Sequence, residues 1–327
     1  MRYLIKRIGF LILTIWVALT LNFLLPRLMP GDPAQVILAR FQGQLNPEAI
    51  HAIQLQFGVN TQESIFSQYI QYWQQLFRGD LGISLAFYPT PVSEVLGRAI
   101  PWTLGLVGAA TITSFLIGTA IGIFSAWRHG KPLADAVVPG ALFLNAVPYY
   151  WIAMLALYVF GFLLGWFPLI GGKSLVTPAD SKVLDILHHS FLPYITIVIT
   201  SLGGWIVGMR NNMLSTMGED YVQFAFAKGL PEKQIERNYA ARNAILPAVT
   251  GFTMALGFVI GGSLLTEIVF SYPGIGYILF QGVNGLDYPV MQAVFMFISV
   301  SVLLANFLTE IAYVFLDPRI RSGGSSE

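Results

Sequence analysis

No cysteine occurs in these 327 residues, which excludes disulfides, thiolate metal sites and cysteine nucleophiles together. Charge is scarce as well. Charged residues make up 11% of the chain, against roughly 25% in a soluble domain, while 55% of the residues are hydrophobic and the mean hydropathy is +0.65. Such a composition implies lipid as the surrounding solvent. The formal net charge of +1 lacks the basic face that a nucleic-acid partner requires. Neither HExxH nor a GxSxG elbow is present, and the four histidines (His51, His129, His188 and His189) fall in segments that read as loops. The His188–His189 pair reads as solvated rather than metal-bound, so no catalytic, metal or cofactor-binding residue is expected in this chain.

What the chain has is long apolar runs. A helix needs about 20 apolar residues to cross the hydrocarbon of a bilayer. Six stretches qualify, at roughly Ile8–Leu28, Trp102–Trp127, Ala136–Leu164, Phe191–Met209, Leu246–Phe270 and Pro289–Leu316. Pro139 and Pro148 are expected to kink the third. The basic start (Arg2, Lys6, Arg7) followed by an apolar run imitates a signal peptide, but the run is long enough to span and no small-residue cleavage site follows it. It reads as a retained first span. The expected fold is therefore an all-α polytopic membrane protein with six transmembrane helices. Residues 1–28 form the N-terminal span, 29–100 an extracytoplasmic segment, 101–316 a five-helix core, and 317–327 a tail.

Six spans place both termini on one side of the membrane. The basic residues choose the side: twelve lie on the terminal side, in segments together about half as long, and six on the other. The positive-inside rule then makes both termini cytoplasmic. In the long outer segment, "SIFSQYIQYWQQLFRG" puts Phe66, Tyr69, Ile70, Trp73, Leu76 and Phe77 on one helical face with glutamines interleaved. That amphipathic helix either lies in the membrane interface or packs on the protein's own outer surface. "NPEAIHAIQLQFG" reads as a second short helix, with Asn46 as N-cap, Pro47 at its first position and Gly58 at its end.

One polar stretch interrupts the apolar runs on the cytoplasmic side. "DYVQFAFAKGLPEKQIERNYAARNAILPAV", from Asp220 to Val249, holds Asp220, Lys228, Glu232, Lys233, Glu236, Arg237 and Arg242. Asp220 is placed to cap a helix from Tyr221, Gly229 to end it with a positive φ, and Pro231 to open a second helix that runs into the fifth span. Ile235, Tyr239, Arg242 and Ile245 would then share a face. Ala225 and Ala227 give the first helix a low profile, suited to a groove on another protein. The residues equally allow an ordinary loop whose positive charge faces anionic lipid.

The stretch resembles the "EAA" cytoplasmic loop of bacterial ABC import permeases through Ala225, Gly229 and the closing Ile245–Pro247, with Gln223 in place of the first Glu. Ala225, Ala227, Lys228, Gly229, Leu230, Arg242, Asn243, Ala244, Leu246 and Pro247 are similar to the form found in the dipeptide/oligopeptide/nickel branch. Other pieces follow in the family's order: "PGDP" (Pro30–Pro33), "GDLGIS" (Gly79–Ser84), "RAIPWTL" (Arg98–Leu104), "VPYYWIAMLAL", "TEIVFSYPGIG" (Thr266–Gly276) and "LDPRIR" (Leu316–Arg321). The order resembles the first, B-type, of two permease subunits. "FGVNTQES" (Phe57–Ser64) departs from the pattern of relatives, which more often read "LGLD" there.

The resemblance implies a type I ABC importer permease fold in a bacterial or archaeal cytoplasmic membrane. It implies half of a translocation pathway, completed by a second homologous permease subunit. Two cytoplasmic ABC ATPases would carry ATP and Mg, and an extracytoplasmic solute-binding protein would deliver cargo. Membrane lipid is the remaining partner. Di- and oligopeptides are the implied cargo, with oligosaccharides or nickel as alternatives. Within the loop 211–245, Tyr221, Gln223, Ala225, Ala227, Lys228, Gly229 and Leu230 would couple to the ATPase. "GGKS" (Gly171–Ser174) is no phosphate-binding loop of the chain's own, because the required first glycine is Phe167. Glu267 would line the pathway or latch its outer gate, or serve only as a buried structural partner, and Glu310 lies near the inner end of the last span. A self-contained secondary transporter, the competing class, needs more intramembrane ionisable groups than these two.

Overall fold

The computed structural model describes residues 2–29, 64–174, 181–261 and 263–316. The described residues are mostly helical and contain no strand beyond one isolated bridge between Ile83 and Pro91. The expected helix over 46–58, the "PGDP" segment, "FGVNTQES" up to Glu63 and the tail 317–327 lie outside them, as does the side chain of Glu310.

Among the described residues, four helices are long and apolar enough to cross a membrane. They are Lys6–Leu28 within α1 (Arg2–Leu28), α3 (Val92–Trp127), α6 (Lys182–Met217) and Tyr288–Leu308 within α12 (Tyr288–Leu316). The expected third span is α4 (Pro132–Ala146) followed by α5 (Tyr149–Ala156), which continues as a π-helical turn, Leu157–Leu163. The two halves are bent by 90° and give a fifth span if counted as one. The bend falls at Pro148, whereas Pro139 sits inside an unbroken α4. The expected fifth stretch, 246–270, is not one helix. α9 (Arg242–Phe258) gives way to a 3₁₀ turn at Val259–Gly261 and then to the short α10 (Leu264–Val269). Adjacent glycines at 261 and 262 disfavour continuation. α11 (Ile275–Asn284) precedes α12.

The chain divides into two compact units: Met1–Thr103 with Ile260–Leu264 and Pro273–Glu327, and Leu104–Val259 with Leu265–Tyr272. In the first, the opening turns of α3 (Val92, Val95, Leu96, Ala99) pack with Ile275 and Leu279 of α11 and with Val290, Met291 and Val294 of α12. The Thr103 hydroxyl accepts the Ile275 N–H at 2.8 Å and so satisfies a free donor at the start of α11. The amphipathic helix is present as α2 (Ile65–Arg78), capped by the Ser64 hydroxyl. Packing on the protein's own surface, one of the two placements expected for it, is what the described residues show. Tyr69 and Tyr72 pack on Phe23 of α1, while Phe66 and Phe77 remain 71% and 82% exposed.

"GDLGIS" is a sequence of turn devices. Gly79 ends α2 at φ 71°, the Asp80 carboxylate accepts the Gly82 N–H at 2.9 Å, and Gly82 itself has φ 78°. The Ser84 hydroxyl then donates to Asp287 at 2.6 Å, and the Ala86 N–H donates to the same oxygen at 2.7 Å. Asp287 also receives the Val290 N–H at 3.2 Å, capping α12. Burial pushes its carboxyl above the ordinary value, and its donors Ser84, Ala86, Val290 and Leu85 act in the opposite sense. Sequence reading overlooked this buried acid.

In the second unit, α3 and α6 approach through Gly118 and Gly122, a small-xxx-small pair. A Cβ at Gly122 would lie 2.8 Å from both the Ile206 carbonyl oxygen and Met209 Cβ. α9 completes the bundle: Phe115 stacks on Phe252 at 4.3 Å and meets Trp205 edge-on at 5.1 Å. Asn22 is buried with its amide nitrogen unpaired among the described residues, and the Asn145 side chain of α4 closes on Gly203 of α6. His188 and His189, expected in a loop, stand near the start of α6 and face the carbonyl oxygens of Trp166 (2.8 Å) and Asp185 (2.9 Å). Gly122→Val is expected to cost about 1–3 kcal/mol of stability by overpacking. Gly208→Ala on α6, with open space at its Cβ, should leave stability unchanged or slightly raised. Thermal unfolding of the detergent-solubilised chain compares the two.

Candidate functional site

The polar loop folds as the sequence suggests, with shifts of one residue. α7 spans Asp220–Ala227; its N-cap is Glu219, in an extended conformation and without a side-chain cap bond, so Asp220 stands in the first turn rather than at the cap. A carboxylate there still faces the positive end of the helix dipole. Gln223, in the place of the family's Glu, donates its amide to the Met217 carbonyl at 2.9 Å and ties α7 to the end of α6.

α7 ends in a Schellman turn. The Gly229 N–H reaches the Phe226 carbonyl at 2.9 Å, and the Leu230 N–H reaches Ala225 at 3.3 Å. Gly229 has φ 71°, with nothing within 4 Å of its absent Cβ. A side chain there opposes the turn through backbone conformation alone and meets no neighbour. Pro231 caps the next helix rather than opening it; α8 (Glu232–Gln234) leads into a π-helical stretch, Ile235–Ala241, and then α9. That stretch corrects the expected face. Its wider spacing makes the buried row Ile235, Ala240, Ala244 and Ala248, and leaves Arg242 exposed.

The inner face of α7 is Val222 and Ala225, buried against Ile235 with Trp127, Leu230 and Tyr239 around them. Phe226 stacks on Trp127 at 6.0 Å. Ala225 therefore lets α7 press onto its own chain instead of thinning its outer profile. The outward residues are Tyr221 (39% exposed), Gln223, Phe224 (67% exposed), Ala227 and Lys228, and Phe226, stacked on Trp127 by one side, is exposed on the other. Tyr221, Phe224 and Lys228 follow one another at i, i+3 and i+7, one stripe of the helix. Sequence reading missed Phe224. An eight-residue helix apolar on both faces carries no periodic signal to show which face is turned out.

Glu267 belongs to a different element, α10, and is fully buried; its carbonyl accepts the Tyr272 N–H at 2.8 Å. "GGKS" is structural: the Ser174 hydroxyl and N–H bond to Asp185 at 2.6 and 2.8 Å, and the Gly171 N–H to the Phe270 carbonyl at 3.0 Å.

Residues 118–322 match the model of the binding-protein-dependent transport system inner membrane component family, and residues 1–99 match that family's N-terminal membrane component. The chain belongs to this family and is a permease subunit of an ABC importer. It is 32% identical over 337 residues to the di/tripeptide transport system permease protein DppB of Pseudomonas aeruginosa, covering 98% of each chain. It is 30% identical over 300 residues to the oligopeptide transport system permease protein AppB of Bacillus subtilis, covering 92% of this chain and 93% of that one. Identity to the glutathione transport system permease protein GsiC of Escherichia coli is 30%, over 98% and 99% of the two chains. Among solved structures, the inward-facing MetNI methionine ABC transporter superposes with a TM-score of 0.54 at 19% identity, covering 69% of this chain and 97% of that one. That likeness gives the type I importer permease fold.

Because only backbone conformation opposes a side chain at 229, Gly229→Asn should retain ATPase coupling, while the β-branched Gly229→Val should lose most of it. ATP hydrolysis by the reconstituted complex, normalised to assembled subunits, distinguishes the two.

Proposed function

We propose that this chain forms half of the translocation pathway of a peptide importer and receives ATP-driven motion through α7. A second homologous permease would complete the pathway. Two ABC ATPases, carrying ATP and Mg, would sit at the cytoplasmic face with both chain termini, and an extracytoplasmic solute-binding protein would present the cargo. The observation that carries this reading is the two-sidedness of α7. Val222 and Ala225 anchor it to its own chain, and Phe224 stands two-thirds exposed on the opposite face with Tyr221 and Lys228.

Mechanically, a partner that grips Phe224 moves the whole of α7, because Val222, Phe226 and Gln223 tie it to Ile235, Trp127 and Met217. The displacement passes through Gly229 and the π-helical stretch into α9, and through Met217 into α6. Glu267, enclosed by protein, is placed to hold one state of the pathway rather than to contact cargo. Di- and oligopeptides are the cargo best supported, since the named relatives carry oligopeptides, di- and tripeptides and glutathione.

The test is uptake into proteoliposomes holding both permeases and both ATPases, with binding protein supplied outside. Peptide should accumulate only with internal ATP and peptide-loaded binding protein, and Phe224→Asp should lower the rate at least about tenfold by placing a charge in an apolar contact. Uptake indifferent to ATP, or driven only by an oligosaccharide-loaded binding protein, contradicts the proposal.

A further inference from the structure

We propose that Arg27, Tyr72 and Gln292 form a binding site for the phosphate group of a membrane phospholipid. The three residues line a cleft of about 70 Å³ within the first compact unit, formed by the last turn of α1, the inner face of α2 and the start of α12. Two of them bring buried polar atoms with no hydrogen-bond partner among the described residues: the Tyr72 hydroxyl and the Gln292 amide nitrogen. An unpaired buried donor costs free energy, and native proteins leave few of them. Arg27 adds a guanidinium whose Nη1 donates to the Phe23 carbonyl at 2.8 Å and whose Nε donates to Gln68 at 3.1 Å. Its Cζ lies over the Phe23 ring, 3.7 Å from the centroid. The cleft thus collects donors and needs an acceptor-rich group, and a phosphate supplies anionic oxygens to all three.

The position selects lipid as the source of that phosphate. Arg27 stands one residue from the end of the Lys6–Leu28 span, at the level of lipid headgroups. α2, which roofs the cleft, turns Phe66, Ile70 and Phe77 outward as apolar groups suited to the interface. The volume fits a phosphate and excludes a peptide. Asp80 also lines the cleft, with one carboxylate oxygen taken by the Gly82 N–H. A negative group at the rim disfavours a bare inorganic anion and suits a zwitterionic headgroup, phosphate on Arg27 and ammonium on Asp80, as in phosphatidylethanolamine.

The full chain, purified in detergent and stripped of lipid, is compared with Tyr72→Phe and Arg27→Gln. Tyr72→Phe removes only a hydroxyl that is unpaired in the empty cleft, so the stripped variant should be as stable as the parent. Phosphatidylethanolamine should raise the melting temperature of the parent and be retained in native mass spectra. Retention should fall about tenfold in Arg27→Gln and severalfold in Tyr72→Phe, the expected loss for charged and neutral hydrogen bonds respectively. Equal retention by Tyr72→Phe and the parent overturns the proposal. So does equal protection of the parent by inorganic phosphate, which would make the ligand a free anion.

Discussion

Val222 and Ala225, buried against Ile235, hold a polar loop to a membrane bundle, and the functional reading depends on that contact. The apolar area is small: burying a valine side chain stabilises by about 1.5–3 kcal/mol, and alanine contributes less. It is supplemented by the Phe226–Trp127 stack, the Gln223–Met217 hydrogen bond and the Schellman turn at Gly229. Without these ties α7 would be a tether, and force applied to it would dissipate in the loop. With them, α7, the end of α6 and the start of α9 form one mechanical piece.

The bundle behind α7 is built by close approach. Gly118 and Gly122 let α3 and α6 touch backbone to backbone, and Gly203 does the same between α4 and α6. Such contacts hold helices together in lipid, where apolar surface gains nothing by turning inward. Polar groups appear where regular helices end. Asp287 gathers the Ser84 hydroxyl and two N–H groups, and Thr103 satisfies the start of α11. Both follow the requirement that buried backbone donors be paired within the protein.

Much of this was legible in the sequence, for identifiable reasons. α1, α3, α6 and α12 are long uniform apolar runs, and length alone identifies them. The turn at Gly229 was legible because glycine between a helical pattern and Leu-Pro has few alternatives. The break at 259–263 and the 90° bend at Pro148 were not, since mean hydropathy does not distinguish a continuous helix from two apolar pieces. The π-helical stretch was invisible for a related reason: inserting one residue per turn alters which side chains are buried without altering composition, and it moved the buried row from Tyr239 and Arg242 to Ala240 and Ala244. Ala225 was read as an outward groove-filler because small residues serve close approach on either face. Only the position of Trp127, nearly a hundred residues earlier, decides which face it is.

The central claim is that the outer face of α7 touches an ATPase. The chain has no cysteine, so a single one can be placed anywhere without background. Cysteine at Phe224, treated with a short thiol crosslinker in membranes containing the full complex, should join this chain to an ATPase subunit carrying cysteines along its membrane-facing groove. Cysteine at the buried Val222 should not. Crosslinking from Val222 with none from Phe224, or none from either while the complex remains assembled, contradicts the account.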